Sequence, residues 1–268
     1  MSGHAETLNK SLKREKQLHL FLGAGVILLF LLVWEAIGGF ELVNPLFTSS
    51  PSRVVKAAIL LVKDGTLLTH LTVSAKEFIL GYAAALVIGV PIGIALGWFK
   101  GFSAAFGPMI SAFYATPRVA LMPLFIIWFG LGITSKIIVV LLSAIFPLIV
   151  NLQTGMTTID RDLIMVARSY GASRWQIFRS IALPASVPFM VTGLRLAAGR
   201  ALLGVIVAEV FGGSQGIGYL IQYAGATFQT DKVFVGVAVV ATTGIILDRG
   251  LHRAGRYFDR WRGDTAVG

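Results

Sequence analysis

"MVARSYGASRWQIFRSIALPAS", residues Met165–Ser186, is a basic, glycine-centred segment lying between two strongly apolar stretches. It carries Arg168, Arg174 and Arg179 around Gly171 and closes on Leu183-Pro184. Just upstream, Asp160 and Asp162 stand where acids suit the positive start of a helix. The pattern predicts a helix to about Tyr170 and a left-handed cap at Gly171. Ser173 is placed to cap a second helix from Arg174, which Pro184 is expected to end. Trp175, Phe178 and Ile181 recur every third residue and give that helix an aromatic, apolar face, with arginines on the other. By composition alone such a pair serves equally as an anchor on anionic lipid or as a docking surface for protein.

The surroundings define its setting. Of the 268 residues, 56% are hydrophobic and only 13% charged, with a mean hydropathy of +0.79. Soluble domains carry about a quarter charged residues, so the solvent for this surface is a bilayer. The net charge of +10 falls beside apolar runs, without aromatic interleaving or zinc-ligand spacing, which argues against nucleic acid. The chain has no cysteine, which excludes disulfides, thiol catalysis and cysteine metal sites. His4, His19, His70 and His252 are scattered and form no metal motif.

The apolar run Leu20–Phe40 is too long for a signal-peptide core and reads as a retained span. After it, Ser49-Ser50-Pro51 forms a turn, Ser52 is the expected N-cap, and Asp64-Gly65 the stop of an interfacial helix bearing Arg53, Lys56 and Lys63. A second span, Phe78–Trp98, holds Gly89, Gly93 and Gly97, a small-residue ladder suited to close helix packing. Phe102–Ala115, "TPRVALMPL" and Phe125–Ile133 form one broken unit interrupted by Pro117 and Pro123. Two readings of the break stand: it lines a path with Arg118 and Met122, or it is a kink from which Arg118 snorkels to an interface. Further spans are Lys136–Gln153, Val187–Phe211 and Val233–Leu247, with a glycine-rich, half-apolar connector, "GGSQGIG", before the last. The chain is thus an all-α polytopic membrane protein with about six transmembrane helices, one of them broken.

Charge orients it. With six spans, fourteen Lys and Arg residues fall on the side of both termini and the Met165–Ser186 loop, and six on the other. The excess places both termini in the cytoplasm. This divides the chain into a cytoplasmic N-terminal segment 1–19, a transmembrane domain 20–248 that includes the segment 156–185, and a basic cytoplasmic tail 249–268.

The spacing Gly171-x9-Ile181-x-Leu183-Pro184 resembles the EAA-x3-G-x9-I-x-L-P signature of membrane subunits of bacterial ATP-binding-cassette importers. Met165, Val166 and Ala167 stand where that signature has Glu-Ala-Ala, so only Ala167 agrees and the acid is missing. "PSRVVKAAILLVKDGTLLTHLTVSAKEFILGY", "TPRVALMPLFIIWFGLGITSKI" and "GLRLAAGRALLGVIVAEVFGGSQGIGYLI" are similar to the nitrate/sulfonate/taurine permease branch of those importers. The resemblance implies a type I importer permease fold and a pairing of two permease chains, commonly identical. It implies two cytoplasmic ATPase subunits that use ATP-Mg, and an extracytoplasmic protein that delivers a small anion to the inner (plasma) membrane. It also implies that the ATPases dock on Asp160, Asp162, Met165, Ala167, Arg168, Gly171, Ala172, Ile181, Leu183 and Pro184. The chain itself has no G-x-x-x-x-G-K-[ST] phosphate loop and is not expected to hold a cofactor or metal.

Arg195, Arg200 and Glu209 lie within one predicted span, where charge is expensive. Arg200 and Glu209, nine residues apart, point to opposite faces, so each requires a partner elsewhere: Glu35, Glu209 of a second chain, or the solute. Arg118, Met122, Arg200 and Glu209 are the translocation-path candidates, the other reading being structural ion pairs with Arg195 snorkelling. A stand-alone ion-coupled transporter is the alternative. It requires buried carboxylates at the midplane, whereas Glu35 and Glu209 are the only membrane acids expected, both near span ends. A membrane enzyme lacks any nucleophile–base pair in this sequence.

Overall fold

The structure, a computed structural model, describes residues 2–40 and 43–256. Eleven helices follow in order: α1 (Ser2–Gly39), α2 (Pro51–Lys63), α3 (Thr66–Trp98), α4 (Lys100–Ala115), α5 (Met122–Phe129), α6 (Ile133–Thr157), α7 (Arg161–Ser169), α8 (Arg174–Ile177), α9 (Leu183–Gly212), α10 (Ile217–Ala226) and α11 (Thr230–Arg256). Phe21–Gly39, α3, α6 and α11 are long and apolar enough to cross a membrane. The 30-residue α9 matches them in length but bears Arg195, Arg200 and Glu209.

The core is α6 held between α3 and α9. In lipid there is no hydrophobic drive between helices, so they associate by close van der Waals packing. Three rungs of the ladder are evident in the sequence; the structure shows five, Gly81, Ala85, Gly89 and Gly93, all buried, and half-buried Gly97, which faces Met156 of α6. A Cβ at Gly93 would lie 2.8 Å from that of Leu152, and one at Gly81 would meet Val140 at 2.5 Å. On its other side α6 receives Gly193 and Gly204, whose added Cβ atoms would meet Asn151 at 3.0 Å and Ser143 Oγ at 2.8 Å. Rungs four residues apart advance about 40° around a helix of 3.6 residues per turn, so the partners cross obliquely.

Several boundaries differ from the sequence reading. The N-cap of α2 is Ser50, not Ser52: Pro51 occupies the first turn, and the Ser50 hydroxyl accepts from Arg53 N–H at 3.4 Å. Ser52 instead donates to Glu35, its Oγ at 2.6 Å and its N–H at 2.9 Å, so the acid of α1 is satisfied within the protomer. Asp64 and Gly65 do end α2, with Gly65 at φ +76. Thr66 N–H donates to the Asp64 carboxylate and holds it below the usual carboxylate range. The second span begins at Thr66, twelve residues before Phe78. The broken unit is two short helices. Thr116 turns extended before Pro117, a 3-10 turn covers Arg118–Leu121, and Pro123 sits in the first turn of α5 rather than breaking it. The connector after α9 carries α10, which packs on α9 and α11.

Candidate functional site

The loop between α6 and α9 satisfies its own backbone. Asp160 caps α7 by accepting from Asp162 N–H at 2.8 Å. Gly171, at φ +79, closes it: Ala172 N–H reaches Ala167 O at 3.0 Å and Gly171 N–H reaches Arg168 O at 2.9 Å. That is a Schellman ending, and it requires the left-handed residue that glycine supplies without strain. Ser173 then forms a capping box with Gln176. Its N–H donates to Gln176 Oε1 at 2.7 Å, and Gln176 N–H returns to Ser173 Oγ at 3.3 Å.

Beyond α8 the chain does not stop at Pro184, as the sequence suggests. Phe178–Ala182 forms one π turn, closed by Leu183 N–H on Phe178 O, and runs straight into α9. Pro184 lies in the first turn of α9. Its missing N–H and bulky ring conflict with the carbonyl four residues back, and the wider turn relieves that conflict. The run from Gly171 to Pro184 therefore holds a capping box, one α turn and one π turn. Ile177, 2% exposed and unnoticed in the sequence, anchors this run together with Ala182. Phe178 sits between Trp98 of α3, 5.1 Å between centroids, and Trp175, 5.4 Å.

No residue of α7 is buried. Leu163, Met165 and Val166 are exposed and Tyr170 is 89% exposed, so an apolar surface stands uncovered among the described residues. Met165 points outward from the position where the importer signature has its acid. Ile181, Leu183 and Pro184, by contrast, are half-buried in the junction with α9.

The path candidates separate. Met122 is fully buried among Phe125, Val139 and Ala208, which removes it from any open face of this protomer. Arg118 opens the 3-10 turn, and its side chain lies outside the described part. Arg195 does not simply snorkel: its guanidinium meets Asp248 of α11 at 2.8 Å. Arg200 is exposed on α9.

Glu209 is 0% exposed and needs no second chain. It accepts from Ser74 Oγ at 2.5 Å and from Gly218 N–H at 2.6 Å, at the start of α10. Ser74 Oγ in turn accepts from Ile217 N–H at 2.9 Å, and His70 Nδ1 from Gly216 N–H at 3.0 Å. Here lies the reason for the glycine-rich connector. A Cβ at Gly216, which has φ +117, would collide with the Glu209 carboxylate, and one at Gly218 would lie 2.5 Å from Ile206 O.

The same cluster holds a pair absent from the sequence reading, Glu77 with Lys136 at 2.8 Å, 1% and 6% exposed. Glu35 and Glu209 are therefore not the only membrane acids. Glu77 lies one residue before the predicted span, and Lys136 reads as a flanking charge. One signal was available: His70, Ser74 and Glu77 are spaced i, i+4, i+7, one face of a helix. Among the described residues, no group of three His, Cys, Asp or Glu side chains could hold a metal ion.

Comparison with known proteins agrees with this architecture. The chain is 32% identical over 249 residues to the taurine transport system permease protein TauC of Escherichia coli (strain K12), covering 91% of this chain and 90% of that one. It is 34% identical over 230 residues to the putative aliphatic sulfonates transport permease protein SsuC of Bacillus subtilis (strain 168), covering 86% and 83%. The fold superposes on a chain of the inward-facing MetNI methionine ABC transporter with a TM-score of 0.59, at 18% identity, over 69% of this chain and 93% of that one. Residues 66–258 match the family described as binding-protein-dependent transport system inner membrane component, and this chain belongs to that family as a transmembrane permease subunit of an ATP-binding-cassette importer, with the type I permease fold.

Proposed function

We propose that two copies of this chain pair in the inner membrane, both termini in the cytoplasm, and pass a small anionic solute between them. The solute class is a sulfonate, taurine, nitrate or a similar anion, in keeping with what the names of TauC and SsuC state of those proteins. An extracytoplasmic binding protein delivers it. Two ATPase subunits, which use ATP-Mg, dock on the segment 156–185. The observation that carries this reading is α7: its backbone is closed at both ends by Asp160 and Gly171, yet its apolar face is covered by nothing among the described residues.

In this reading Leu163, Met165, Val166 and Ala167 enter a groove of the ATPase, flanked by Asp160, Asp162 and Arg168. Gly171, Ala172, Ile181, Leu183 and Pro184 form the stem that passes its displacement to α9, and Phe178 against Trp98 passes it to α3. Rigid-body rocking of packed helices then exchanges access between the two sides of the membrane. The segments 1–19 and 249–268 flank a transmembrane domain of residues 20–248.

The test is a Leu163→Asp/Val166→Asp double variant, co-expressed with its partner ATPase and binding protein. Loss of ATPase co-purification and of uptake, with normal membrane insertion of the permease, is expected. Retention of both overturns the docking assignment. Tags at the two termini that react only from the cytoplasmic side establish the orientation.

A further inference from the structure

Five of the charges set within the long helices are consumed locally. Arg195 meets Asp248, Lys136 meets Glu77, and Glu209 takes Ser74 and Gly218. Arg200 has no hydrogen bond or ion pair among the described residues, and its side chain is exposed. Lys76 of α3 is exposed too, but it lies beside Glu77 at the polar-cluster end of the bundle. Arg200 stands five residues along α9 from the Arg195–Asp248 pair, about 7.5 Å deeper.

The surroundings of α9 show where Arg200 points. Ala197, Ala201, Val205 and Ala208 are buried in the core, and Leu202 and Ile206 face α3 and α11. The remaining side carries Thr192, Leu196, Arg200, Leu203 and Phe211, spaced in helical steps and all exposed. A cleft of about 240 Å³ between α3, α9 and α11 lies on the other side, and its walls are apolar except for Ser74 and Thr243. Ser74 is already bonded to Glu209, and no charged group enters that cleft, so it offers an anion no counter-charge.

A second copy brings Arg200 no unpartnered acid from its membrane-crossing stretches. Among the described residues, the acids there already have a partner in each copy: Glu35 takes Ser52, Glu77 takes Lys136, Glu209 takes Ser74, Asp231 takes Arg53 and Asp248 takes Arg195. An arginine at this depth faces a bundle interior or water-filled cavity rather than lipid tails. An oxyanion from outside the protein supplies the counter-charge that its own protomer does not.

We propose that Arg200 contacts the anionic group of the solute on its way through the permease. This rests on the preceding reading of the chain as half of an anion importer. A guanidinium suits this task because it stays charged and offers a planar fork to two oxygens of a sulfonate, carboxylate or nitrate. A lipid phosphate reached by snorkelling is the other source of the same chemistry, and the experiment separates the two.

The chain has no cysteine, so Arg200→Cys, Leu203→Cys and, as control, Leu202→Cys each introduce a single thiol. In the assembled importer in proteoliposomes, a negatively charged, membrane-impermeant methanethiosulfonate is expected to label positions 200 and 203 and to spare 202. An unlabelled Arg200→Cys places the side chain in lipid and overturns the proposal. In the second arm, uptake of ethanesulfonate by Arg200→Gln is expected to fall about tenfold or more with ATP hydrolysis retained, while Arg200→Lys keeps most of it. A wild-type rate for Arg200→Gln overturns the proposal, and so does an equal loss in both variants, which marks a packing role. If wild-type uptake depends on phosphatidylglycerol in the vesicles and Arg200→Gln abolishes that dependence, the partner is the headgroup and the proposal fails. A wild-type importer that moves neutral solutes but no sulfonate overturns the anion reading itself, an outcome distinct from all of these.

Discussion

The polar cluster around Glu209 and the loop around α7 are both dense in charge, and they use it in opposite ways. In the cluster, side chains are spent inside the protein: buried Glu77, Lys136, Ser74 and Glu209, with half-buried His70, tie α3, α6, α9 and α10 together. One oxygen, Glu77 Oε2, is the only buried side-chain polar atom without a hydrogen-bond partner among the described residues. In the loop the backbone is satisfied by caps, and the apolar side chains of α7 remain exposed. The first arrangement makes an anchor that is costly to open. The second makes a stiff, detachable surface whose energy is realised only when something else covers it.

The largest effect that tests this contrast is on the anchor. Lys136→Met strands Glu77 beside Glu209, whose field includes both the Glu77 carboxylate and the Lys136 ammonium. Breaking a buried pair on one side costs about 3–5 kcal/mol, so the purified chain should melt well below wild type in detergent, and Glu77→Gln added to it should recover much of the loss. A melting temperature unmoved by Lys136→Met would deny that the cluster anchors anything. The loop variant Leu163→Asp/Val166→Asp should do the reverse. The isolated permease melts as wild type, while uptake and ATPase co-purification are lost, a fall of more than about tenfold or roughly 1.4 kcal/mol of docking. Should the isolated permease lose stability, the apolar face of α7 is serving its own fold.

Smaller still is Ser173→Ala. Loss of the cap costs about 1 kcal/mol locally and should appear as faster amide exchange in α8 without a change in the melting of the bundle. The smallest is Met165→Glu, which restores the acid of the importer signature at an exposed position. It should change stability by less than about 0.5 kcal/mol and raise or leave unchanged the retention of the ATPase on co-purification. A drop in retention would show that the partner groove has adapted to methionine.

Which parts were legible follows from the range of the forces. Asp160, Gly171 and Ser173 act on amides within five residues, so the caps, the turn and the G-x9-I-x-L-P run could be read directly. The glycine ladder could be read because its spacing repeats along one helix. Glu77–Lys136 and Arg195–Asp248 span 59 and 53 residues, and only the packing of helices brings them together. Ser50 displaced Ser52 as a cap because Pro51 claims the first helical position and Glu35 claims the Ser52 hydroxyl. Met122 read as a lining residue because it sits at a break, but the break turns it into the contact of α5 with α6 and α9.

The π turn at Phe178–Ala182 has a consequence for continuity. A π turn holds one residue more than the α turn it replaces, and the wider ring absorbs that residue, so α8 runs into α9 without a break. Deleting Ser180 would force an ordinary α turn there and return the Pro184 ring to the carbonyl four residues before it. Nine intervening residues rather than eight is thus a condition on stiffness: with eight, the stem between α7 and α9 would bend or break at the proline, and a push on the lever would be lost at the joint.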